Sequence, residues 1–229
     1  MLKINEIFYS IQGESSYTGR PCVFVRLTGC NLRCSYCDTR YAYDEGEDLE
    51  IGEIIDRVMS HRCVLVEITG GEPLIQKDTP LLIQRLLDLG FEVLLETNGS
   101  MDISVVDDRC VNILDIKCPS SGEAKQNDLE NLKRLQTKDE IKFAIGSRED
   151  YDYAKNILSF IDSANGNVKP PLFSPVHGRL NPELLAQWIL ADHLDVRMQI
   201  QLHKIIWDPE TRGKSPRWCS ANSKRRRPT

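Results

Sequence analysis

The sequence predicts an α/β protein, a truncated and partly open (β/α) barrel built on parallel strands. Three observations carry this reading. β-Branched, apolar runs alternate with segments of helical period along most of the chain. Six or seven such units fit into the first 213 or so of 229 residues, short of the eight that close a full barrel. Polar or glycine-rich stretches ("TGCNLRC", "TGGEP", "ETNGS", "DIKCPSSG" and "SPVHG") follow five of the strands, at the strand ends where such folds place their chemistry.

Taken in order, an opening strand over about residues 3–9 precedes "CVFVRLTG" (22–29), which is apolar on both faces, as a buried parallel strand is. "IGEIIDRVMSHR" (51–62) has helical spacing, with Ile51, Ile54, Ile55 and Met59 on one side. "VLVEITGG" (64–71) reads as strand, "TPLLIQRLLDLG" (79–90) as a helix ended by Gly90, and "FEVLLETNG" (91–99) as strand. "VNILDIK" (111–117), "EIKFAIG" (140–146), "PPLFSPV" (170–176) and "VRMQIQLHKIIW" (196–207) are further strands. Helices are expected between them over 126–136, 148–161 and 181–193. No internal linker interrupts the pattern. The chain divides into a core domain over 1–213 and a tail over 214–229.

Hydrophobic residues at 41 % and charged residues at 28 % suit a folded globular chain and exclude general disorder. No apolar run reaches the roughly 18 residues that span a bilayer, and the first residues lack the apolar stretch of a secretory signal. A cytoplasmic enzyme with no membrane partner is expected. In that reducing compartment eight cysteines point to metal or redox chemistry rather than disulfides. The net charge of −5 argues against nucleic acid as the main partner. The tail, "GKSPRWCSANSKRRRPT" with the glycine before it, holds six basic residues and no acid, so the rest of the chain stands near −11. It is read as a solvated, disordered extension.

The segment "GCNLRCSYCDT" (29–39) gathers Cys30, Cys34 and Cys37 within eight residues and supplies no fourth cysteine beside them. Thiolates suit zinc, copper(I) and iron–sulfur clusters, and most 4Fe–4S clusters take four cysteines. Three leave one iron without a protein ligand, and an open position marks a reactive rather than a structural centre. A zinc site completed by a distant ligand is the weaker alternative. Cys22, Cys63 and Cys110 read as small apolar core or strand-flanking residues, whereas Cys118 lies on the rim.

"CNLRCSYC", with Tyr36 before the last cysteine, and "TGGEP" after the next strand resemble the radical S-adenosylmethionine (SAM) superfamily. That resemblance implies a 4Fe–4S cluster on Cys30, Cys34 and Cys37, whose open iron chelates SAM. Reductive cleavage of SAM then gives a 5′-deoxyadenosyl radical. Gly70 and Gly71 are expected to let backbone groups approach the ligand. Further stretches, "FYSIQGES" (8–15), "TGRPCVFVRLTGCNLRC" (18–34), "CDT" (37–39), "LDIKCPSSGE" and "QLHKIIWDPETRG", are similar to the 7-carboxy-7-deazaguanine synthase family. The likeness covers about residues 1–213. It implies rearrangement of 6-carboxy-5,6,7,8-tetrahydropterin to 7-carboxy-7-deazaguanine with loss of ammonia, in the 7-deazapurine (queuosine) pathway. It also implies Mg2+, a homodimer and an electron donor such as flavodoxin or ferredoxin.

Site residues follow from the matching positions. Ile11, Gln12 and Gly13 match a substrate-binding stretch, and the Gln12 amide can donate and accept at a pterin edge. Arg26 matches a substrate arginine, its fork suited to a carboxylate; an ion pair inside the barrel is the other reading of it. Thr39 matches a Mg2+ ligand, with Asp38 beside it as a SAM contact or a helix cap. Thr69 and Pro209 match substrate contacts. Tyr36, Gly71, the segment Lys117, Cys118, Pro119 and Ser120, and the segment Ser174, Pro175, Val176 and His177 match SAM contacts. Lys142 and His203 read either as site residues or as polar groups satisfied at strand edges, the second being preferred. The basic tail departs from the family pattern. Two rivals share parts of these motifs: a radical SAM activase of a glycyl-radical protein, and an iron–sulfur electron carrier. The first would lack the "SIQGE" and "CDT" context, and the second would close its cluster with a fourth cysteine.

Overall fold

The structure is a computed structural model that describes residues 1–164 and 169–208. Nine strands form one sheet: β1 (Leu2–Ile11), β2 (Pro21–Leu27), β3 (Glu47–Leu49), β4 (Leu65–Gly70), β5 (Glu92–Thr97), β6 (Val111–Ile116), β7 (Glu140–Ile145), β8 (Leu172–Pro175) and β9 (Arg197–Met198). Their order is β3-β1-β2-β4-β5-β6-β7-β8-β9, with β3 and β9 as edges, so the barrel is open. From β2 onward each neighbouring pair is parallel. β1 runs antiparallel to both β2 and β3. β3 is absent from the sequence reading, because three residues with two exposed acids carry no strand pattern.

Helices α1 (Ile51–Ser60), α2 (Thr79–Asp88), α4 (Arg148–Ala164) and α5 (Pro182–Ala191) match the predicted positions. α1 starts with a capping box between Glu50 and Glu53, and α2 ends before Gly90 at φ +84°. Of the stripe expected on α1, Ile54 is buried and Ile51 and Ile55 pack on the core, but Met59 is 54 % exposed and Val58 is buried in its place. The helix expected over 126–136 shrinks to α3 (Asn131–Arg134), since asparagine and aspartate side chains bond the local backbone there instead. The long final strand is also corrected. Pairing stops at Met198, and the chain turns into α6 (His203–Ile206).

Strand alternation divides the side chains into two sets. Val23, Val25 and Leu27 of β2, Val66 and Ile68 of β4, and Leu95 of β5 join the main core with the helices. The opposite faces behave differently along their length. Near the strand starts they hold a small apolar cluster of Cys22, Phe24, Leu65, Leu94, Val111 and Ile113, on which Phe8 stacks 4.9 Å from Phe24. Towards the strand ends the same faces carry Arg26, Glu67, Thr69, Glu96, Asp115, Lys117 and Lys142. The barrel interior is therefore apolar below and charged above.

Candidate active site

A cavity of about 750 Å³ occupies the charged half. Its wall includes Cys30, Cys34 and Cys37 on the loop after β2, all free thiols. That loop is stitched across the rim: Ser35 N donates to Ser121 O at 2.9 Å and Ser35 Oγ to Ser120 O at 2.7 Å. Burial pushes the Cys34 thiol up to about 11 and raises that of Cys30. Among the described residues no three His, Cys, Asp or Glu side chains stand at metal-ligating spacing, these thiols included. The donor set nevertheless fits a cluster: three soft ligands on one short loop, facing one cavity.

Gly70 and Gly71 line the cavity, and packing requires them as well. A Cβ on Gly71 would lie 2.2 Å from Gly29 O and 2.5 Å from Cys30 Cβ, and one on Gly70 would lie 2.4 Å from Leu27 O. They let the end of β4 pack on the backbone that carries the cysteines. Glu72 of the same "GGEP" turn is fully buried and receives the Asn98 and Leu74 amides at 2.7 and 3.0 Å and the Thr97 hydroxyl at 2.9 Å. It braces the turn against β5.

Several of the residues expected to contact SAM stand around the thiols. Tyr36 lines the cavity, its buried hydroxyl has no partner, and the Arg179 guanidinium lies 5.3 Å from its ring. Lys117, Ser174, Pro175, Val176 and His177 line the same space. Cys118, Pro119 and Ser120 do not: the Cys118 thiol turns into the core, and Ser120 bonds Asp150 through its amide and hydroxyl. Asp38 lines the cavity as well, yet its carboxylate is 2.6 Å from Lys204. Burial opposes ionisation there, but the Lys204 charge prevails and holds the group at about 2. Thr39 lines the cavity and donates to Asp38 at 3.0 Å. Asp38 is thus not a helix cap.

Ile11, Gln12, Gly13, Arg26 and Thr69 also reach the cavity. Arg26 does so while paired through Nε with Glu6 at 2.8 Å, which is the ion pair that one of the two readings expects. Gly13 is required by space: a Cβ there would meet His203 Nδ1 at 2.1 Å. Pro209 lies outside the described residues.

The sequence reading missed the cavity floor. Lys142, preferred as a strand-edge group, is a central cation 2.8 Å from Glu14, hydrogen-bonded to Glu96 and 3.5 Å from Asp115. Gln201 donates to Glu14 at 2.8 Å, and His203 lines the wall. Burial resists the Glu14 charge, but Lys142 and His203 hold its carboxyl at about 2. Glu96 is pushed up by burial despite Lys142. Glu67, bonded by the Gln12 amide, is raised well above the carboxylate range by burial and by the Glu96 charge. One signal was available: Glu67, Glu96 and Lys142 are charged residues within apolar strands, at the parity of Arg26.

A three-thiol loop at the strand ends of an open parallel barrel, opening on one polar cavity, defines a radical SAM fold. The Radical SAM superfamily model matches residues 24–115. The chain is 44 % identical to a 7-carboxy-7-deazaguanine synthase of Koribacter versatilis, over 93 % of this chain and 100 % of that protein. It is 46 % identical to one of Chlorobaculum tepidum, over 93 % and 97 %. It belongs to the 7-carboxy-7-deazaguanine synthase family. The crystal structure of QueE from Escherichia coli superimposes with a TM-score of 0.74 at 23 % identity, over 88 % of this chain and 94 % of that one, a likeness of fold.

Proposed function

We infer that this chain converts 6-carboxy-5,6,7,8-tetrahydropterin to 7-carboxy-7-deazaguanine and ammonia, a step of 7-deazapurine (queuosine) biosynthesis. One observation carries the reading: a single cavity joins the three cysteines to a charged floor that can hold a small polar heterocycle. Product and ammonia together have the atoms of the substrate, so the conversion is redox-neutral and fits SAM that is regenerated rather than consumed. When bound, the cluster and SAM supply a carbon-centred radical able to take hydrogen from the substrate.

The protein's own groups do the rest. Cys30, Cys34 and Cys37 would hold the cluster, and Tyr36, Lys117 and the 174–177 segment the SAM. Thr39 would supply one hard oxygen for Mg2+, and the substrate carboxylate another. Arg26 offers a guanidinium to that carboxylate. Glu96, a cavity carboxylate with its pKa pushed up, is suited to accept a proton from the ring, and Lys142 stabilises the charge that Glu96 carries otherwise.

An electron donor such as flavodoxin or ferredoxin, a homodimeric assembly and a cytoplasmic location complete the reading. No described helix is long and apolar enough to cross a membrane.

The test uses protein with its cluster reconstituted without oxygen, given SAM, dithionite, Mg2+ and 6-carboxytetrahydropterin. Mass spectrometry should find a product lighter by one ammonia, with SAM not consumed in proportion. Formation of 5′-deoxyadenosine without that product would reject the substrate and bring the glycyl-radical activase forward.

A further inference from the structure

The loop between β1 and β2 closes the barrel from the strand-start end, and it is held in an ordered way. Three of its residues, alternating along the chain, are each gripped by a charged side chain from the barrel interior. Gln12 is bonded to Glu67 of β4, Glu14 to Lys142 of β7, and Ser16 to Glu140 of β7. Glu140 and Lys142 are two residues apart on one strand, so they share its inner face. Gln12 and Glu14 line the cavity, whereas Ser16 and Glu140 lie beneath it, outside its wall.

The lowest grip has the features of a built device. Glu140 is 1 % exposed, and it receives both the amide of Ser16, at 2.9 Å, and the Ser16 hydroxyl. Lys169 balances it at 2.9 Å and reaches the Ser16 hydroxyl at 3.3 Å. Between the two grips on β7 lies Ser15, 1 % exposed and at φ +64°, a left-handed conformation rare for a residue with a Cβ. Such backbone persists where surrounding contacts over-determine it. The turn it makes points the side chains of Gln12 and Glu14 upward while Ser16 is tied below. The loop's far half is anchored separately, by Arg20 on Glu92 at 2.6 Å.

We propose that Glu140 is a positioning residue for the substrate: through Ser16 it fixes the loop that aims Gln12 and Glu14 into the cavity. It touches neither the cavity nor the cysteine loop. For its ligand the inference rests on the pterin reading above; the clamp itself does not.

The experiment measures, on holoenzyme with cluster and SAM bound and oxygen excluded, the affinity for 6-carboxytetrahydropterin by calorimetry. It also measures SAM affinity, cluster absorbance, Tm and amide exchange. Losing a charge-assisted hydrogen-bonded pair corresponds to a weakening of about ten- to a hundredfold. Glu140→Ala should weaken pterin binding by that much and raise KM more than it lowers kcat, with SAM affinity and cluster absorbance as in wild type. Glu140→Gln, which keeps an acceptor for Ser16, should recover part of the loss. Ser16→Ala, which keeps the backbone amide on Glu140, should give a smaller loss of the same kind, the double variant being no worse than Glu140→Ala. Residues 12–16 should exchange faster while β5 and β6 do not. Pterin affinity unchanged in a folded Glu140→Ala protein, or SAM and pterin affinity falling together with Tm, would overturn the proposal. Ser16→Ala, the smaller change, decides the matter if Glu140→Ala does not fold. Should wild-type protein itself bind no pterin, the functional reading fails instead. The exchange comparison then still judges the clamp, and equal exchange in variant and wild type would reject it.

Discussion

Glu67 is 3 % exposed, with Glu96, Glu14 and Lys142 as its charged neighbours and the Gln12 amide bonded to it. Burial and the Glu96 charge raise its pKa well above 4.5. A carboxyl whose folded pKa is raised contributes stability below its unfolded value and loses it as pH climbs through the folded value. Glu67→Gln keeps an acceptor for Gln12 without a charge to bury. Its urea-unfolding free energy should therefore fall less than that of wild type as pH rises above about 5; parallel curves would contradict a protonated Glu67. Cys34→Ala should abolish SAM cleavage together with product, read as 5′-deoxyadenosine and product by chromatography, and cleavage at the normal rate would sink the cluster assignment. Thr39→Ala should weaken the Mg2+ dependence of turnover while leaving cluster absorbance intact, whereas an unchanged Mg2+ titration would remove Thr39 as a ligand. Cysteines at a recognisable spacing were legible in the chain. Glu67 and Glu96 were not, because a lone acid in an apolar run shows its role only once the strand's inner face is known; nor was Glu14, whose loop shows its partner Lys142 only once folded.

At the scale of elements, the turn after β4 is constrained by backbone contact as well as by its place on the cavity wall. Gly71→Ala places a methyl 2.2 Å from the Gly29 carbonyl, which is backbone and cannot swing away. Overpacking of this kind costs about 1–3 kcal/mol. The variant should melt below wild type and incorporate less iron on reconstitution; wild-type Tm and iron content would show that the loop can yield. Helices with strong apolar periodicity, such as α2 and α4, were legible to within a few residues. The elements misread were those where local chemistry competes with pattern. Residues 126–136 are rich in groups that bond their own backbone. The run 196–207 alternates like a strand, yet it has only one neighbour to pair with and bends away to close the site.

For the whole molecule, the body bears the charge of the protein and the tail opposes it. A chain ending at residue 213 should turn over within about twofold of the full protein, as judged from initial rates, and a larger fall would assign the last residues to the site. Open architecture was legible from the number of strand–helix units, which cannot close a barrel of eight. The antiparallel placement of β1 was not, since an isolated apolar strand carries no direction in its composition.

The cavity wall draws on both ends of the chain: Gln12, Gly13 and the cysteine loop from the first residues, Gln201, His203 and Trp207 from the last described ones. The Leu202 amide closes this seam by donating to Gly13 O at 3.0 Å. Synthesis proceeds from the N-terminus, at about 5–20 residues per second in cells. The thiols therefore leave the ribosome well before the segment around Gln201 to Trp207 that completes the cavity wall. A nascent chain carries Cys30, Cys34 and Cys37 in a chamber that lacks this part of its wall for roughly ten to thirty seconds.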